Sequence, residues 1–480
     1  MSLARDAAAA EAGMPGSVTA PLTSAQGGKL HKPASWSLSA RLPDYNGPFK
    51  VGVVDIETAP TAAVDKGLLA RVFYPTTDAP TAPQCEAAAA AETSSQPRHA
   101  HAHARRPAPA HHAQWLPKRL LYSIGYGDFL GLPAALAVMF VAPSLSGVTM
   151  PAFLNAPLRP ASAGAGAGGH THALPERLPV VVFSHGLAGM RTTYSTLCGC
   201  LAAKGFVVIA PEHGDGSGST TARNGYKTRI LYRRPHKSEI RPGQTQDEYL
   251  KELRNGQVEY RANEALEAVD LLRKLDAGHF DGASENLLHA FDGGFDFRQF
   301  AGRLDLRNVA MIGHSFGGAT AIAALSRPNH PFACGVMLDP WMFPVKNPNV
   351  TVPFLTIQSE TFHWRQNLTE LSSMFRSSAT HPSSRFAYIR GTAHNDPSDL
   401  AGLFPGVLRM GGQVGTGDPL FAQLVNDEWI TEFVRTFMPS CQLALPSFRA
   451  YSVDNPVGTP DAVVSGDRAI QDLFARLDKQ

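Results

Sequence analysis

The chain has no apolar run long enough to cross a bilayer, no cysteine framework and almost no net charge. The stretch that comes nearest to a membrane span is Phe129 to Ala142, FLGLPAALAVMFVA. It holds about 14 uncharged residues where a spanning helix needs roughly 20. Lys and Arg number 43 against 41 Asp and Glu, a formal charge of +2. With no basic run among them, there is no argument for nucleic-acid binding. The five cysteines, Cys85, Cys198, Cys200, Cys334 and Cys441, are odd in number and scattered. They form neither a disulfide framework nor a zinc pattern, and they read as reduced, buried thiols. The opening MSLARDAAAAEAGMPGSVTAP lacks the apolar centre of a signal peptide, and Ser2 stands where myristoylation requires glycine. The last residues, LDKQ, carry no lipidation or retention signal. The expected location is intracellular and cytoplasmic.

What the sequence does hold is a globular core: 44% of residues are apolar and 18% charged. Residues 1–35, rich in Ala, Gly, Pro and Ser, read as disordered. Residues 36–440 read as one domain with low-complexity insertions at about 76–113 and 161–176. The first insertion carries His99, His101, His103, His111 and His112, with no carboxylate or cysteine beside them to complete a metal site. Residues 441–480 have no assignable structure. FKVGVVDIE and LLARVFYP, from Phe49 and Leu68, predict an opening hairpin or meander. LPVVVF (from Leu178) and FVVIAP (from Phe206) have the unbroken apolar character of buried parallel strands, with a helix over Tyr194–Lys204 between them. Gln244 to Leu275 has helical spacing, and a last helix is expected over about Gln423 to Met438. Phe129–Ala142 reads either as a buried core helix, with Pro133 in its first turn, or as an apolar surface helix; the residues alone favour the core.

The chain is organised around NVAMIGHSFGGA, Asn308 to Ala319. A short apolar run leads into Gly313-His314-Ser315-Phe316-Gly317, the G-x-S-x-G form of a nucleophile elbow, and a helix-forming stretch follows. Strand and helix meet so tightly at Ser315 that only glycine fits two residues before and two after it. Alternating strands and helices up to this point indicate right-handed βαβ units. The fold class is therefore α/β, with a mostly parallel central sheet and helices on both faces, the α/β-hydrolase arrangement.

A serine hydroxyl attacks an ester only when a base removes its proton and an acid orients that base. In this sheet type the acid and then the histidine follow the serine, at the ends of later strands. Asp339 ends the strand CGVML, and His394 lies in GTAHNDPSD just past the strand RFAYIR. His363 and His381 are rival bases, and Asp396 and Asp399 are alternative acids that also read as local turn formers. Two backbone N–H donors must receive the developing oxyanion. Phe316, next to the nucleophile, is one. Leu187, in the loop Ser184-His185-Gly186-Leu187, is the other. The scheme needs no metal and no cofactor; His185, His213 and Asp215 fit loop roles.

With these residues assembled, the chain resembles the platelet-activating factor acetylhydrolases of the plasma and intracellular type II kind. The segments that carry the likeness run in family order. They include GPFKVGVVD at Gly47, MPAFLNAPLRP at Met150, VVVFSHGLAGMRTTYS at Val180, GFVVIAPEHGDGSGS at Gly205, FAGRLDLRNVAMIGHSFGGAT at Phe300 and CGVMLDPWMFP at Cys334. The resemblance covers roughly Gly47 to Met438. It implies nucleophile, acid and base at Ser315, Asp339 and His394, and oxyanion donors at Leu187 and Phe316. It also implies calcium-independent hydrolysis of the sn-2 acetyl, short or oxidised acyl ester of phospholipids. Tyr122 to Ala142 would then be an interfacial helix touching membranes or lipid surfaces. Pro340 and Pro397 depart from the family pattern near the acyl pocket. Two competing readings are a broader carboxylesterase acting on neutral esters and a catalytically silent lipid-binding protein.

Overall fold

Among the described residues, the strand-forming runs of the sequence lie side by side in one sheet of 11 strands. The computed structural model describes residues 41–77, 112–161, 173–288, 295–442 and 463–479. The expected disorder of residues 1–35, most of both insertions with His99, His101, His103 and His111, and Cys85 lie outside the described residues.

In chain order the strands are β1 (Lys50–Glu57), β2 (Leu69–Thr76), β3 (His112–Gln114), β4 (Thr149–Leu154), β5 (Leu178–Ser184), β6 (Val207–Glu212), β7 (Thr220–Arg223) and β8 (Thr228–Leu231). After these come β9 (Leu304–His314), β10 (Phe332–Leu338), β11 (Phe354–Ser359), β12 (Arg385–Ile389) and β13 (Val463–Ser465). β7 and β8 make a separate ribbon, and the large sheet runs β13-β12-β11-β10-β9-β5-β6-β2-β1-β4-β3. From β6 to β12 every neighbour is parallel, while β2 joins β6 and β13 joins β12 antiparallel. β1 and β2 form the expected antiparallel pair. The parallel strands are buried on both faces, as their unbroken apolar sequences require.

The long helix is one piece, Gln246–Asp276. It opens on a capping box in which Thr245 accepts from the Glu248 N–H and Glu248 accepts from the Thr245 N–H. The helix packs on the elbow helix, Phe316–Leu325. The C-terminal helix expected over 423–438 runs over Pro419–Phe437. The unassigned tail contributes β13 at the sheet edge and a helix, Gly466–Leu477, against β12. Its short strand gave too little periodicity to be read from sequence. Cys198, Cys200 and Cys334 are buried free thiols.

The buried-core reading of Phe129–Ala142 is overturned. A helix spans Arg119–Phe129, the chain breaks, and a second helical stretch covers 134–145 with a π-helical turn at Ala137–Val141. Leu130, Leu136, Val138, Met139 and Phe140 face outward, Phe140 with 61% of its surface exposed. Ala137, Ala142 and Leu145 turn inward, and half-buried Val141 packs against the core. Fourteen apolar residues exceed what one narrow contact can cover, so the larger side chains stay outside. Pro133 stands one place before the helical stretch rather than within its first turn. Among the described residues, no helix is long and apolar enough to cross a membrane.

Candidate active site

The elbow is as tight as its glycines require. Ser315 sits between β9 and the elbow helix at φ 58°, ψ −118°, a conformation that costs a non-glycine residue about 1–3 kcal/mol. A Cβ on Gly313 would come 2.0 Å from the Gly317 carbonyl oxygen, and one on Gly317 would come 2.0 Å from that of Ser184. The strain is braced from the next strand: the Ser315 N–H donates to the Leu338 carbonyl (2.8 Å), and the Trp341 N–H donates to that of Ser315 (3.2 Å).

Asp339, directly after β10, is fully buried and also left-handed, at φ 43°. Its N–H donates to the Ile357 carbonyl (2.9 Å), and its Oδ1 accepts from the Ser359 N–H (2.6 Å). The end of β11 thus aims the other oxygen. Oδ2 lies 3.2 Å from His394 Nδ1, and His394 Nε2 lies 2.8 Å from Ser315 Oγ. Three residues distant in sequence form one hydrogen-bonded line. Phe362 stacks on the His394 ring with centroids 3.5 Å apart, and His314 lies 4.6 Å away on the elbow. The His394 side chain keeps 20% of its surface exposed, while Ser315 is 7% exposed and Asp339 fully buried.

Burial sets the protonation. It pushes the Asp339 carboxyl up to about 6 and holds His394 below the ordinary imidazole value. At neutral pH the carboxyl is ionised and the imidazole neutral, with its proton on Nδ1 and a lone pair on Nε2 facing Ser315. His314 is held down to about 3 by burial and by His394. Ligand atoms of His314, Asp339 and His394 lie within 4.8 Å of one another, a spacing that could admit a cation, but this grouping includes the hydrogen-bonded line itself.

The rivals fall elsewhere. His363 is buried near Asp339, but its Nδ1 has no hydrogen-bond partner. His381 opens a short turn, His381–Ser383, that precedes β12, whereas His394 follows that strand. Asp396 accepts from the Ala393 N–H (2.8 Å), a local turn as expected. Asp399 is not a local turn former. Its carboxylate caps the helix Ser195–Ala203 through the N–H groups of Ser195 (2.7 Å) and Thr196 (2.9 Å) and accepts from the Trp115 indole (2.9 Å).

Phe316 follows the serine on the elbow helix, and Leu187 follows Gly186, where an added Cβ would lie 3.3 Å from Ser315 Cβ. Phe316 is the first residue of its helix, where N–H groups lack an internal acceptor. Leu187 precedes Ala188, a left-handed residue whose N–H donates to the Ser217 carbonyl (2.7 Å). Sequence reasoning missed the polar groups behind these loops. His213 meets Glu264 (2.6 Å) and Ser184 (2.8 Å), and Arg261 reaches the His185 carbonyl (2.6 Å). Glu264 and Arg261 are fully buried charges amid the apolar spacing of Val258, Ala262 and Ala265, and that interruption was the available signal.

A strained serine between a parallel strand and a helix, with histidine and carboxylate converging from later strands, defines an ester hydrolase of the α/β-hydrolase class. The fold matches a ferulic acid esterase from Streptomyces cinnamoneus with a TM-score of 0.55 at 16% identity, over 89% of this chain and 99% of that one. The chain belongs to the family described as platelet-activating factor acetylhydrolase, isoform II, whose model matches residues 102–439. It is 29% identical to the platelet-activating factor acetylhydrolase of Gallus gallus over 75% of this chain and 74% of that protein. To that of Canis lupus familiaris it is 30% identical over 75% and 69%.

Proposed function

We propose that the protein hydrolyses the sn-2 acetyl or short or oxidised acyl ester of phospholipids through an acyl-enzyme on Ser315, without calcium. The observation that carries this reading is the line Ser315–His394–Asp339 at 2.8 and 3.2 Å, ending on the strained elbow. The substrate class comes from the family and from its relatives' names.

His394 Nε2 takes the hydroxyl proton as Ser315 Oγ bonds to the ester carbon, and Asp339 stabilises the imidazolium. The carbonyl oxygen becomes an oxyanion, received by the N–H groups of Leu187 and Phe316. As the carbonyl re-forms, the bond to the glycerol oxygen breaks. The imidazolium gives its proton to that oxygen, releasing the lysophospholipid. Water, deprotonated by His394, then attacks the acyl-serine, and the fatty acid leaves as Ser315 regains its proton. No step asks for a metal.

The outward apolar residues Val138, Met139 and Phe140 favour peripheral contact of the helical segment with lipid surfaces. Replacing Met139 and Phe140 by serine should lower co-sedimentation with phosphatidylcholine vesicles while turnover of a water-soluble acetyl ester stays unchanged; equal co-sedimentation would refute that contact. For the chemistry, turnover of an sn-2 acetyl phospholipid is compared with that of a simple acetyl ester. Hydrolysis of the simple ester alone would replace this reading with a general carboxylesterase. A fluorophosphonate that leaves Ser315 unmodified would replace it with a non-enzymatic one.

A further inference from the structure

Behind the elbow, the long helix Gln246–Asp276 carries Gln257, Arg261 and Glu264 along one side, all buried. Arg261 is the central one. Its Nη1 donates to the His185 carbonyl (2.6 Å), two residues before Leu187. Its Nε lies 2.8 Å from Ser217 Oγ and 3.1 Å from Asp215 Oδ2. The Ser217 carbonyl in turn holds the Ala188 N–H (2.7 Å), one residue after Leu187. On its other side the guanidinium carbon lies 4.6 Å from the centre of the Phe316 ring. One buried side chain therefore touches both the β5 loop and the elbow. These are the two segments that carry the oxyanion donors in the reading above, on which this inference rests.

We propose that Arg261 is the positioning residue of the oxyanion hole. The planar fork sets the distance between the two loops, so that the N–H groups of Leu187 and Phe316 converge on one oxygen before substrate arrives. A buried ion pair is a poor source of net stability, because desolvating two charges costs about what their attraction returns. Preorganised donors, by contrast, contribute heavily to catalysis, since losing one costs roughly 10²–10³ in kcat. Arg261 does not touch the reacting atoms. Its effect passes through the donors it spaces, so its loss should weaken transition-state stabilisation and leave substrate binding alone.

The test uses the full chain with Arg261→Met and Arg261→Lys, active sites being titrated with a fluorophosphonate. Kinetics are read on an sn-2 acetyl phospholipid. Inhibition is read with a trifluoromethyl ketone, to which Ser315 adds to form a hemiketal oxyanion. Arg261→Met is expected to lower kcat per titrated site by about 10- to 100-fold with KM within about twofold. The ketone's Ki should rise by the factor that kcat/KM falls, and Arg261→Lys should lie between variant and parent. A merely structural arginine would reduce the titrated fraction and leave kcat per site and Ki unchanged; that result overturns the proposal. If Arg261→Met yields no folded protein, Arg261→Lys decides by the same two readouts. Turnover surviving in Ser315→Ala would sink the Ser315 reading itself, an outcome separable from any behaviour of Arg261.

Discussion

Among the described residues, two Ser–His–carboxylate lines start from serines at the ends of the neighbouring strands β5 and β9. Ser315–His394–Asp339 has spacings of 2.8 and 3.2 Å, and Ser184–His213–Glu264 has 2.8 and 2.6 Å. By hydrogen-bond length alone the second is the better of the two. It nevertheless lacks what the first has. Ser184 ends β5 fully buried with its carbonyl pressed against Gly317, whereas Ser315 stands on a strained turn at a helix N-terminus beside candidate donors. The carboxyls differ as well. Burial pushes Glu264 up to about 7, above the value of about 6 for Asp339. In the fraction of molecules in which Glu264 holds its proton, it donates to Nδ1 and leaves the His213 proton on Nε2, pointing at Ser184 instead of accepting from it. Three residues in line do not make a nucleophile. Access, donors for the oxyanion and the right tautomer do.

The comparison breaks first at the serines. Ser315→Ala should lower turnover by about 10⁴-fold or more, because the rest of the site supplies only the residual catalysis of binding and oxyanion stabilisation. Ser184→Ala should keep fluorophosphonate labelling at Ser315, checked by mass spectrometry of the labelled peptide. Adduct on Ser184 in the parent would reverse the assignment of the two lines. Next are the carboxyls. Asp339→Asn holds the imidazole in the wrong tautomer and should cost about 10³- to 10⁴-fold in kcat with a folded protein.

The acid limb is a smaller effect. The active form needs neutral His394 and ionised Asp339, and protons remove both conditions. kcat/KM should therefore hold above neutrality and fall about tenfold per pH unit below a midpoint near 6, where the Asp339 carboxyl titrates. The two groups interact, so the midpoint belongs to the pair. Activity that rises on acidification through this range would contradict a neutral histidine base.

Much of the first line was legible because each member follows a buried strand. An apolar run ending in Gly-x-Ser, in Asp or in a turn before His is a pattern that a chain can show in one dimension. The second line was not legible. Ser184 and His213 were visible as loop residues, but Glu264 and Arg261 acquire partners only when the helix Gln246–Asp276 lies under two loops; the interrupted apolar spacing marks the two residues but not what they meet. The exposed helical stretch at 134–145 failed for the opposite reason: local hydrophobicity is the same whether a segment is buried or faces outward. Asp399 read as a turn former because its true partners, Ser195, Thr196 and Trp115, lie about 200 residues or more away.

Glu264→Gln sharpens the comparison at its fine end. The carboxyl accepts from the Gly214 N–H (2.9 Å), meets Arg223 (3.2 Å) and bonds His213. Glutamine keeps the shape but offers one acceptor oxygen where the carboxyl has two, so the expected loss is about 1–3 kcal/mol of stability at neutral pH. Labelling of Ser315 should persist, and kcat should change less than about tenfold. The sign with pH follows from the raised value. In the folded chain Glu264 holds its proton up to about 7, against an ordinary 4.5. The stability this contributes is complete below the unfolded value and is lost as pH rises through the folded one. Glutamine does not titrate, and the neighbouring His213 is common to both proteins. The parent's advantage over Glu264→Gln should therefore shrink between about pH 4.5 and 7, as read from denaturant melts of the two proteins. A gap that widens over that interval would mean that Glu264 is ionised throughout. The buried line would then resemble the catalytic one in its tautomer after all, leaving exposure and oxyanion donors as the whole of the difference.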